Sequence, residues 1–340
     1  MIHFSFLLPC YNVEKYIVKC LDSIYAASLN SEEFEVLCYE DCSTDNTREL
    51  LQNYSLSHSN VKVLCGKHNV GLSAGRNILL NEAQGEYVWF IDSDDYLDSN
   101  NVDNLVNTVI TNKLDTLLFN YKLVDTNNQP LRDVKIFSIS PIFDGAKFVE
   151  KQFGEHVVDH LGYVWRFIVR KDFLLSQQID FPEGQNWEDL IWVAKVLFYS
   201  TRIMSSESVG YIHAVNSNSI SDDFHKNYRA KDIYIICIIS SEQILQFINT
   251  LEEHSIDAST KEKYEKVFLK YISKLINAKL PLYLARTNHN ERKLFYLAIR
   301  QKPVSSAIKS QTNFLSKLLF SPLGLLLSDL LSIIYSIKHR

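Results

Sequence analysis

Residues 87–97 read YVWFIDSDDYL, in which five apolar residues are followed at once by three carboxylates within four positions. A short apolar run rich in β-branched and aromatic residues predicts a buried strand, here residues 87–91. Adjacent carboxylates repel one another unless a cation is present, and Mg²⁺ or Mn²⁺ binds such oxygens with phosphate groups as further ligands. The stretch therefore indicates a strand that ends at a metal-bridged diphosphate. An acidic turn before a helix that begins near Ser99 is the simpler alternative.

Three similar apolar runs precede this stretch and alternate with segments of helical period, which is typical of βα units on a largely parallel sheet. Polar, glycine-rich or acidic residues follow each run. Because ligands of doubly wound sheets bind beyond the carboxyl ends of the strands, we expect the four strand ends to form one cleft. The predicted strands are residues 4–8, 35–39, 61–65 and 87–91, and the predicted helices are residues 14–25, 45–54 and 73–82.

The pattern is less regular beyond residue 100. It predicts strands at residues 116–121 and 163–169 and helices at residues 143–152 and 187–199. From about residue 225 the helical period continues to the end of the sequence. The sequence thus predicts an α/β domain over residues 1–225 and a helical C-terminal region over residues 226–340.

The composition is that of a folded chain with an uneven charge distribution. With 340 residues, 46% of them hydrophobic and 22% charged, the chain is too apolar for disorder. Residues 1–260 hold 20 Lys and Arg against 36 Asp and Glu, net −16, whereas residues 261–340 hold 15 against 4, net +11. The acidic part argues against a nucleic-acid partner. The six cysteines have no metal-binding or paired spacing, which favours a reducing, cytoplasmic location.

Single residues at the predicted strand ends suit a nucleotide. Asp41 can accept a hydrogen bond from the imide N–H of a uracil, and Tyr11 can lie against the base. Arg76, at a glycine-flanked helix start, can reach the base or the phosphates. Each residue also has a structural interpretation, with Asp41 as a helix cap and Arg76 as a surface residue.

Taken together, five segments resemble the family 2 glycosyltransferases. They follow the family order over about residues 1–220: PCYNVEKYI at 9–17, EDCSTDNT at 40–47, NVGLSAGRN at 69–77, FIDSDDYL at 90–97 and NWEDLIW at 186–192. The resemblance implies the GT-A fold, a Rossmann-like α/β fold whose mostly parallel sheet is flanked by helices, here with a C-terminal helical extension. The residue pattern alone indicates only a cleft for a nucleotide and a metal.

The resemblance also implies roles for the matching residues. Cys42 stands where the family has a glycine, which predicts a less permissive backbone beside the base. His213 resembles a late segment that closes over the diphosphate in some members, and a structural histidine is the alternative. Nucleotide-sugar binding is predicted for Pro9, Tyr11, Asn12, Glu14, Asp41, Arg76, Asp92 and Ser93, metal binding for Asp94, Asp92 and His213, and catalysis for Asp189 as the base with Glu188 beside it.

The predicted reaction is an inverting, metal-dependent transfer of a hexose or N-acetylhexosamine from a UDP-sugar to a hydroxyl of a glycan acceptor, with Mn²⁺ or Mg²⁺ as cofactor. Inversion is favoured because Asp189 is a separate carboxylate beyond the metal cluster. Three alternatives stay open at this point. They are a sugar nucleotidylyltransferase, a non-catalytic nucleotide-sugar or glycan-binding protein on the same fold, and an interaction module built on the C-terminal helices.

The C-terminal region suggests a second partner. Residues 261–340 are basic and amphipathic, and the apolar stretch 314–337 is interrupted by Lys317, Pro322 and Asp329. This pattern favours attachment to the anionic inner face of the cell membrane over spanning it. We therefore expect a peripheral, cytoplasmic enzyme that acts on a lipid-linked oligosaccharide in surface polysaccharide synthesis. Docking of this region on the catalytic domain, or on a second copy in a homodimer, is the alternative.

Overall fold

The computed structural model describes residues 2–125, 127–135, 137–152, 163–184 and 188–215, together with seven single positions between residues 246 and 290. The chain forms two compact units, of which the first comprises Met1–Phe148 and Gly162–Asp222 and the second comprises Val149–Leu161 and Asp223–Arg340. Apart from those single positions, the predicted helical region over residues 226–340 lies outside the described residues. Within the described residues, no helix has both the length and the apolar character needed to cross a membrane.

The first half of the sheet consists of four parallel strands in the order β3-β2-β1-β4. The four predicted strands and three predicted helices are confirmed, although the first helix begins three residues later than the sequence predicts. The strands are β1 Phe4–Cys10, β2 Phe34–Glu40, β3 Val61–Cys65 and β4 Tyr87–Phe90, and the helices are α1 Ile17–Tyr25, α2 Thr47–Ser57 and α3 Leu72–Glu82.

The second half of the sheet is mixed and continues in the order β4-β8-β6-β9-β5, with β7 paired to β6. The pair β6 and β9 is parallel, and the other pairs in this half are antiparallel. The predicted α/β fold is therefore confirmed, with antiparallel pairs that the sequence did not indicate. The elements are β5 Tyr96–Leu97, α4 Ser99–Thr111, β6 Thr116–Val124, β7 Pro130–Val134, α5 Gly145–Gln152, a 3-10 turn Val164–Arg166, β8 Phe167–Arg170, α6 Lys171–Ser176, α7 Asp189–Tyr199 and β9 Ile203–Ala214.

The core is centred on Trp89 of β4, which is completely buried. Its ring centroid lies 6.0 Å from that of Phe6 on β1 and 4.9 Å from that of Phe119 on β6. Its indole Nε1 donates a hydrogen bond to the carbonyl oxygen of Trp165 at 2.8 Å. Because buried aromatic rings dominate core energetics, this cluster ties the parallel half of the sheet to the mixed half. It thereby fixes the end of β4, where the acidic stretch begins.

Aromatic packing also fixes the start of α7. Trp192 of this helix is buried and stacks on Phe181, with ring centroids 5.2 Å apart and an interplanar angle of 5°. Phe90, the last residue of β4, meets the Trp192 ring edge to face at 6.0 Å. These contacts hold Glu188 and Asp189, at the first turn of α7, beside the end of β4.

Candidate active site

The loops after β1 and β2 bond to each other and form one wall of the cleft. The side-chain oxygen of Asn12 accepts a hydrogen bond from the Thr44 amide at 2.8 Å, and the Asn12 amide donates to Ser43 Oγ at 3.0 Å. Glu14 Oε2 accepts from the backbone and side-chain nitrogens of Asn46 at 3.0 and 2.9 Å. These contacts explain why α1 begins late, because the residues before it belong to the wall. We call residues 9–14, 40–47 and 69–71 the nucleotide rim.

Asp41 holds the third segment of the nucleotide rim in place. Its side chain is buried, and its two carboxylate oxygens accept from the amides of Val70 at 2.7 Å and Gly71 at 2.9 Å. The Asn69 side chain donates to the Asp41 carbonyl at 3.1 Å. Each carboxylate oxygen still has a lone pair for a donor on a base. The predicted base contact of Asp41 stays a prediction, and the structure adds that this residue shapes the rim.

Tyr11, Pro9 and Ser93, three more of the predicted donor-binding residues, lie in different environments. Tyr11 exposes 48% of its surface, so its ring is accessible for stacking. Pro9 contributes its carbonyl oxygen, which accepts a hydrogen bond from Ser93 Oγ at 2.8 Å. This bond ties the end of β1 to the acidic loop after β4.

Cys42 occupies a strained position in the rim. Its φ is +59°, in the left-handed region that favours glycine, and its Sγ donates to the Gly66 carbonyl at 3.2 Å. Cys42 therefore adopts the left-handed backbone that glycine takes most easily, and the predicted restriction did not move this position out of that region.

The loop Asp92–Asp95, which we call the metal loop, lies at the carboxyl end of β4 and is held by β9. The Asp92 amide donates to Tyr211 Oη at 3.1 Å. The buried carboxylate of Asp95 accepts from the Ala214 amide at 2.8 Å and contacts His213 Nδ1 at 2.9 Å. The backbone and one carboxylate of the loop are therefore fixed, so that Asp94 lies between two anchored residues.

The metal loop concentrates negative charge in a poorly solvated place. Burial, and then the charges of Asp95 and Asp92, raise the pKa of Asp94 to about 7. Burial also raises the pKa of Asp95, although His213 opposes the shift. A carboxylate whose ionised form is disfavoured by burial and like charges gains most from a bound cation. The metal loop thus has the electrostatic character of a cation site.

His213 stands at the end of β9 with its ring orientation fixed. Its imidazole stacks on Trp165 with centroids 5.7 Å apart and an angle of 22°. Burial lowers its pKa, but the carboxylates of Asp95 and then Asp94 outweigh this effect and raise the pKa to about 9. Since Nδ1 bonds to Asp95, Nε2 is the nitrogen that would bind a metal in competition with the proton, as in carboxylate–histidine–metal arrangements.

The metal loop and His213 fit a cation that is bound mainly by its substrate. In the part of the chain that the structure describes, no three His, Cys, Asp or Glu side chains are arranged to enclose a metal by themselves. Asp92 uses one oxygen for an arginine, and Asp95 is engaged by His213. Mg²⁺ takes one or two protein carboxylates and completes its shell with water and phosphate oxygens. Asp94, whose ionised form is disfavoured by burial and by the charges of Asp95 and Asp92, would gain stability from such a cation.

Arg76 connects the metal loop to the start of α7. Its side chain is 2% exposed, and its Nη1 donates to Glu188 Oε1 at 2.8 Å and to Asp189 Oδ1 at 2.7 Å, while Nη2 donates to Asp92 Oδ1 at 2.9 Å. The guanidinium is buried among three carboxylates, so Arg76 is not a surface residue, and its predicted contact with the donor stays a prediction. We call Arg76, Asp92, Glu188 and Asp189 the charged cluster.

The surroundings of Asp189 in the charged cluster disfavour its ionised form. Burial raises its pKa well above the ordinary value, Arg76 opposes the shift, and the charges of Glu188 and Asp92 add to it. A fifth of its side chain is still exposed, so a ligand can reach it. A carboxylate with a raised pKa accepts protons more readily, which is the property that a general base needs.

The sequence did not indicate the aromatic support behind these charges. Trp165 stacks on Tyr211 with centroids 4.2 Å apart, and both rings are buried. Tyr211 and His213 lie two residues apart on β9, so they share one face of the strand. A period-two pattern from Tyr211 to His213 was the available signal, but two residues are too few to identify a strand.

A parallel half-sheet carries an acidic loop at its carboxyl end, it continues into a mixed half-sheet, and the start of α7 brings a second carboxylate pair to that loop. This arrangement defines the chain as a glycosyltransferase of the GT-A fold. The sequence model described as "Glycosyl transferase family 2" matches residues 5–173, about half of the chain. The chain belongs to this family, and the predicted resemblance is confirmed.

Two bacterial relatives illustrate the family. The chain is 25% identical to the glycosyltransferase EpsJ of Bacillus subtilis over 237 residues, which cover 67% of this chain and 68% of EpsJ. It is 36% identical over 131 residues to the poly(ribitol-phosphate) β-N-acetylglucosaminyltransferase TarS of Staphylococcus aureus, which cover 38% of this chain and 23% of TarS. The chain thus matches about two thirds of EpsJ but only about a quarter of TarS.

Solved structures confirm the fold. The chain resembles S. aureus TarS 1-349 in complex with UDP with a TM-score of 0.72 at 22% identity, covering 100% of this chain and 91% of that one. It also resembles the mannosyltransferase PcManGT from Pyrobaculum calidifontis in complex with GDP-Man and Mn²⁺, with a TM-score of 0.53 at 15% identity, covering 97% and 87%. At these identities the likeness concerns the fold.

Proposed function

We propose that this glycosyltransferase moves a hexose or N-acetylhexosamine from a UDP-sugar to a hydroxyl of a glycan acceptor, with inversion and with the help of Mn²⁺ or Mg²⁺. Family membership favours glycosyl transfer over the nucleotidylyltransferase, binding-protein and interaction-module alternatives. The observation that carries the proposal is the charged cluster. Through one buried guanidinium it brings Asp189 next to Asp92, although the two carboxylates are almost a hundred residues apart in the chain.

The donor is proposed from the nucleotide rim. Asp41 has spare lone pairs that can accept a hydrogen bond from a pyrimidine base. Tyr11 has an exposed ring on which such a base can stack. Crystal structures of the similar fold in TarS are complexes with UDP and with UDP-GlcNAc, which supports a uridine donor. The remaining rim residues Asn12 and Glu14 serve the donor indirectly, because their hydrogen bonds to residues 43–46 shape the wall.

The chemical step is proposed for Asp189. Its carboxylate accepts the proton of the acceptor hydroxyl while that oxygen attacks the anomeric carbon, and the bond to the diphosphate breaks on the opposite side. One base and no covalent intermediate give inversion. Glu188 shares Arg76 with Asp189 and keeps the base oriented toward the cleft.

The metal is proposed to lie at Asp94, with Asp92 and Nε2 of His213 as further candidate ligands. A divalent cation there would neutralise charge on the leaving diphosphate. The Mn²⁺ that accompanies GDP-Man in the PcManGT complex supports such a cofactor in this fold. The crowded carboxylates of the metal loop support it in this chain.

A screen of UDP-sugars for UDP release in Mn²⁺ and in EDTA tests the donor and the cofactor. We expect release from at least one UDP-hexose or UDP-N-acetylhexosamine in Mn²⁺, little release in EDTA, and none from GDP-mannose. Release of diphosphate in place of UDP, or equal rates in EDTA, would contradict the proposal. The anomeric configuration of the product, read by NMR, tests inversion separately, since retention would exclude a single displacement.

The acceptor is proposed to be a lipid-linked glycan in surface polysaccharide synthesis, reached at the inner face of the membrane. The support is the net charge of +11 over residues 261–340, which would attract anionic lipid. Fractionation of cells that express the chain without residues 310–340 tests this point. We expect loss of membrane association with UDP release retained, and a truncated chain that stays in the membrane fraction would refute it.

A further inference from the structure

Tyr211 on β9 contacts the metal loop, although it is not one of the predicted site residues. Its side chain is buried, and its hydroxyl oxygen accepts the hydrogen bond of the Asp92 amide at 3.1 Å. A phenol hydroxyl can accept this bond and still donate its own proton.

Aromatic packing prevents the Tyr211 ring from moving. The ring lies almost parallel to Trp165, with an angle of 9° and centroids 4.2 Å apart. Trp165 is in turn anchored by the hydrogen bond between its carbonyl and Trp89 Nε1. The position of Tyr211 Oη is thus set by the core of the sheet, because its ring stacks on a buried residue that is itself hydrogen-bonded to Trp89.

Strand β9 contacts the metal loop at both ends. Tyr211 holds the first residue, Asp92, by its backbone, whereas Asp95, the last residue, bonds to the Ala214 amide and His213. The three groups that hold the loop come from positions 211, 213 and 214 of one strand. A short loop fixed at both ends has few conformations left, which lowers the entropic cost of ordering its carboxylates around a ligand.

We propose that Tyr211 is a positioning residue, which sets the backbone of Asp92 so that the metal loop binds the divalent cation and the diphosphate with high affinity. The proposal rests on the metal dependence proposed above. Tyr211 acts through Asp92 and does not itself contact substrate. Loss of its hydroxyl would leave the Asp92 amide without this acceptor and would release the first end of the loop.

The test compares Tyr211→Phe with Tyr87→Phe in the full chain. Tyr87 on β4 is a matched control, because it is also buried in the same sheet, but its hydroxyl has no hydrogen-bond partner among the residues that the structure describes. Both changes keep the ring, so both variants should fold. Calorimetric titration with Mn²⁺ in the presence of saturating UDP, the exchange rate of the Asp92 amide by NMR, and kcat and KM for the UDP-sugar are measured for each.

We expect Tyr211→Phe to weaken Mn²⁺ binding by roughly 10-fold, as is typical when support for a metal ligand is removed, and to raise KM for the donor more than it lowers kcat. Exchange of the Asp92 amide should become faster, and Tyr87→Phe should match the wild type. If Tyr211→Phe equals Tyr87→Phe in Mn²⁺ affinity while the wild type still shows Mn²⁺-dependent UDP release, the positioning role is refuted and the proposed function stands. If the wild type shows no Mn²⁺-dependent UDP release and binds no Mn²⁺ in the presence of UDP, both are refuted.

Discussion

The nucleotide rim and the charged cluster lie on the same edge of the sheet but are stabilised in different ways. In the rim, side-chain oxygens bond to backbone amides, as Asp41 does to Val70 and Gly71. In the charged cluster, a single guanidinium bonds to three carboxylates. The rim is therefore shaped by local backbone geometry, whereas the cluster depends on a balance of charge between distant segments.

This difference matches the roles that we propose for the two regions, which are donor binding for the rim and catalysis for the charged cluster. Backbone amides carry no net charge and do not titrate, which suits the nucleotide recognition that we propose for the rim. Three carboxylates around one buried cation leave excess negative charge, which keeps a carboxylate basic. Substitutions in the cluster should therefore alter turnover and stability strongly, and substitutions in the rim should have smaller effects.

The largest effect is expected for Asp189→Asn, which removes one charge from the cluster. General base catalysis contributes roughly 10²–10⁴-fold, so kcat should fall by about that factor. UDP affinity should stay within about twofold of the wild type, because general base catalysis contributes to the rate and not to ground-state binding. Steady-state kinetics and UDP titration measure the two quantities.

Asp180→Asn is the matched control for this change. Asp180 is largely exposed and its carboxylate lies 3.8 Å from Lys195 Nζ, so its loss should leave kcat unaltered. If Asp189→Asn retained more than about a tenth of the wild-type turnover, a different residue would be the base.

Arg76→Met should cause the largest loss of stability. Removing one partner of a buried ion pair costs about 3–5 kcal/mol, because the remaining charges lose their compensation. The loss should be smaller at pH 5 than at pH 8, since the unpaired carboxylates can take up protons at the lower pH. Urea unfolding of the variant and the wild type at both pH values measures the loss in the free energy of unfolding.

Arg48→Met provides the comparison with the rim. Arg48 is 46% exposed and pairs with Glu40, which also accepts from the Ser43 amide. Because Glu40 keeps that backbone bond, the variant should lose less stability than Arg76→Met. Equal losses would show that the two regions are not stabilised differently.

The same difference explains how far the sequence could predict this molecule. The first four strands and the helices between them follow local patterns, and the structure confirms them. Arg76 was placed at a helix start correctly, but its partners Glu188 and Asp189 lie 112 and 113 residues away. A periodic pattern records which face of an element is apolar, and it carries no information about which distant charge lies opposite. The clustering of these charges, and the support of the metal loop by β9, required the structure.

The pH dependence of the metal-free protein should differ between the two sides of the cleft. Because the carboxylates of Asp95 and Asp94 outweigh burial and raise the pKa of His213 from 6.5 to about 9, the protonated pair stabilises the fold below about pH 6.5. This contribution should be lost as the pH rises through about 9. A shift of this size corresponds to at most about 3 kcal/mol. Urea unfolding between pH 6 and 10 measures the loss.

His213→Gln should abolish this alkaline loss, since glutamine does not titrate. The pH dependence of the rim's stability should have the opposite sign. Burial alone would raise the pKa of Glu40, but hydrogen bonds from Ser43 and Arg48 outweigh it and lower that pKa. Its contribution is present at neutral pH and is lost as the pH falls. A wild-type curve that stays flat from pH 6 to 10 would contradict the prediction for His213.

The smallest effect is expected at Cys42, and it should be a gain of stability. A left-handed backbone costs a residue with a Cβ roughly 1–2 kcal/mol, and glycine avoids that cost but loses about 0.5–1 kcal/mol through the entropy of the unfolded chain. Cys42→Gly should therefore stabilise the rim by up to about 1.5 kcal/mol. Thermal or urea unfolding detects a change of this size.

Cys42→Ala separates the backbone from the thiol, because it keeps the Cβ at φ +59° and removes only the contact of Sγ with the Gly66 carbonyl. The alanine variant should be no more stable than the wild type, and the glycine variant should exceed both. If alanine and glycine gave the same stability, the left-handed backbone would carry no strain. These substitutions change the φ preference at residue 42 and alter no charge. They therefore test the conclusion that the rim is shaped by local backbone geometry.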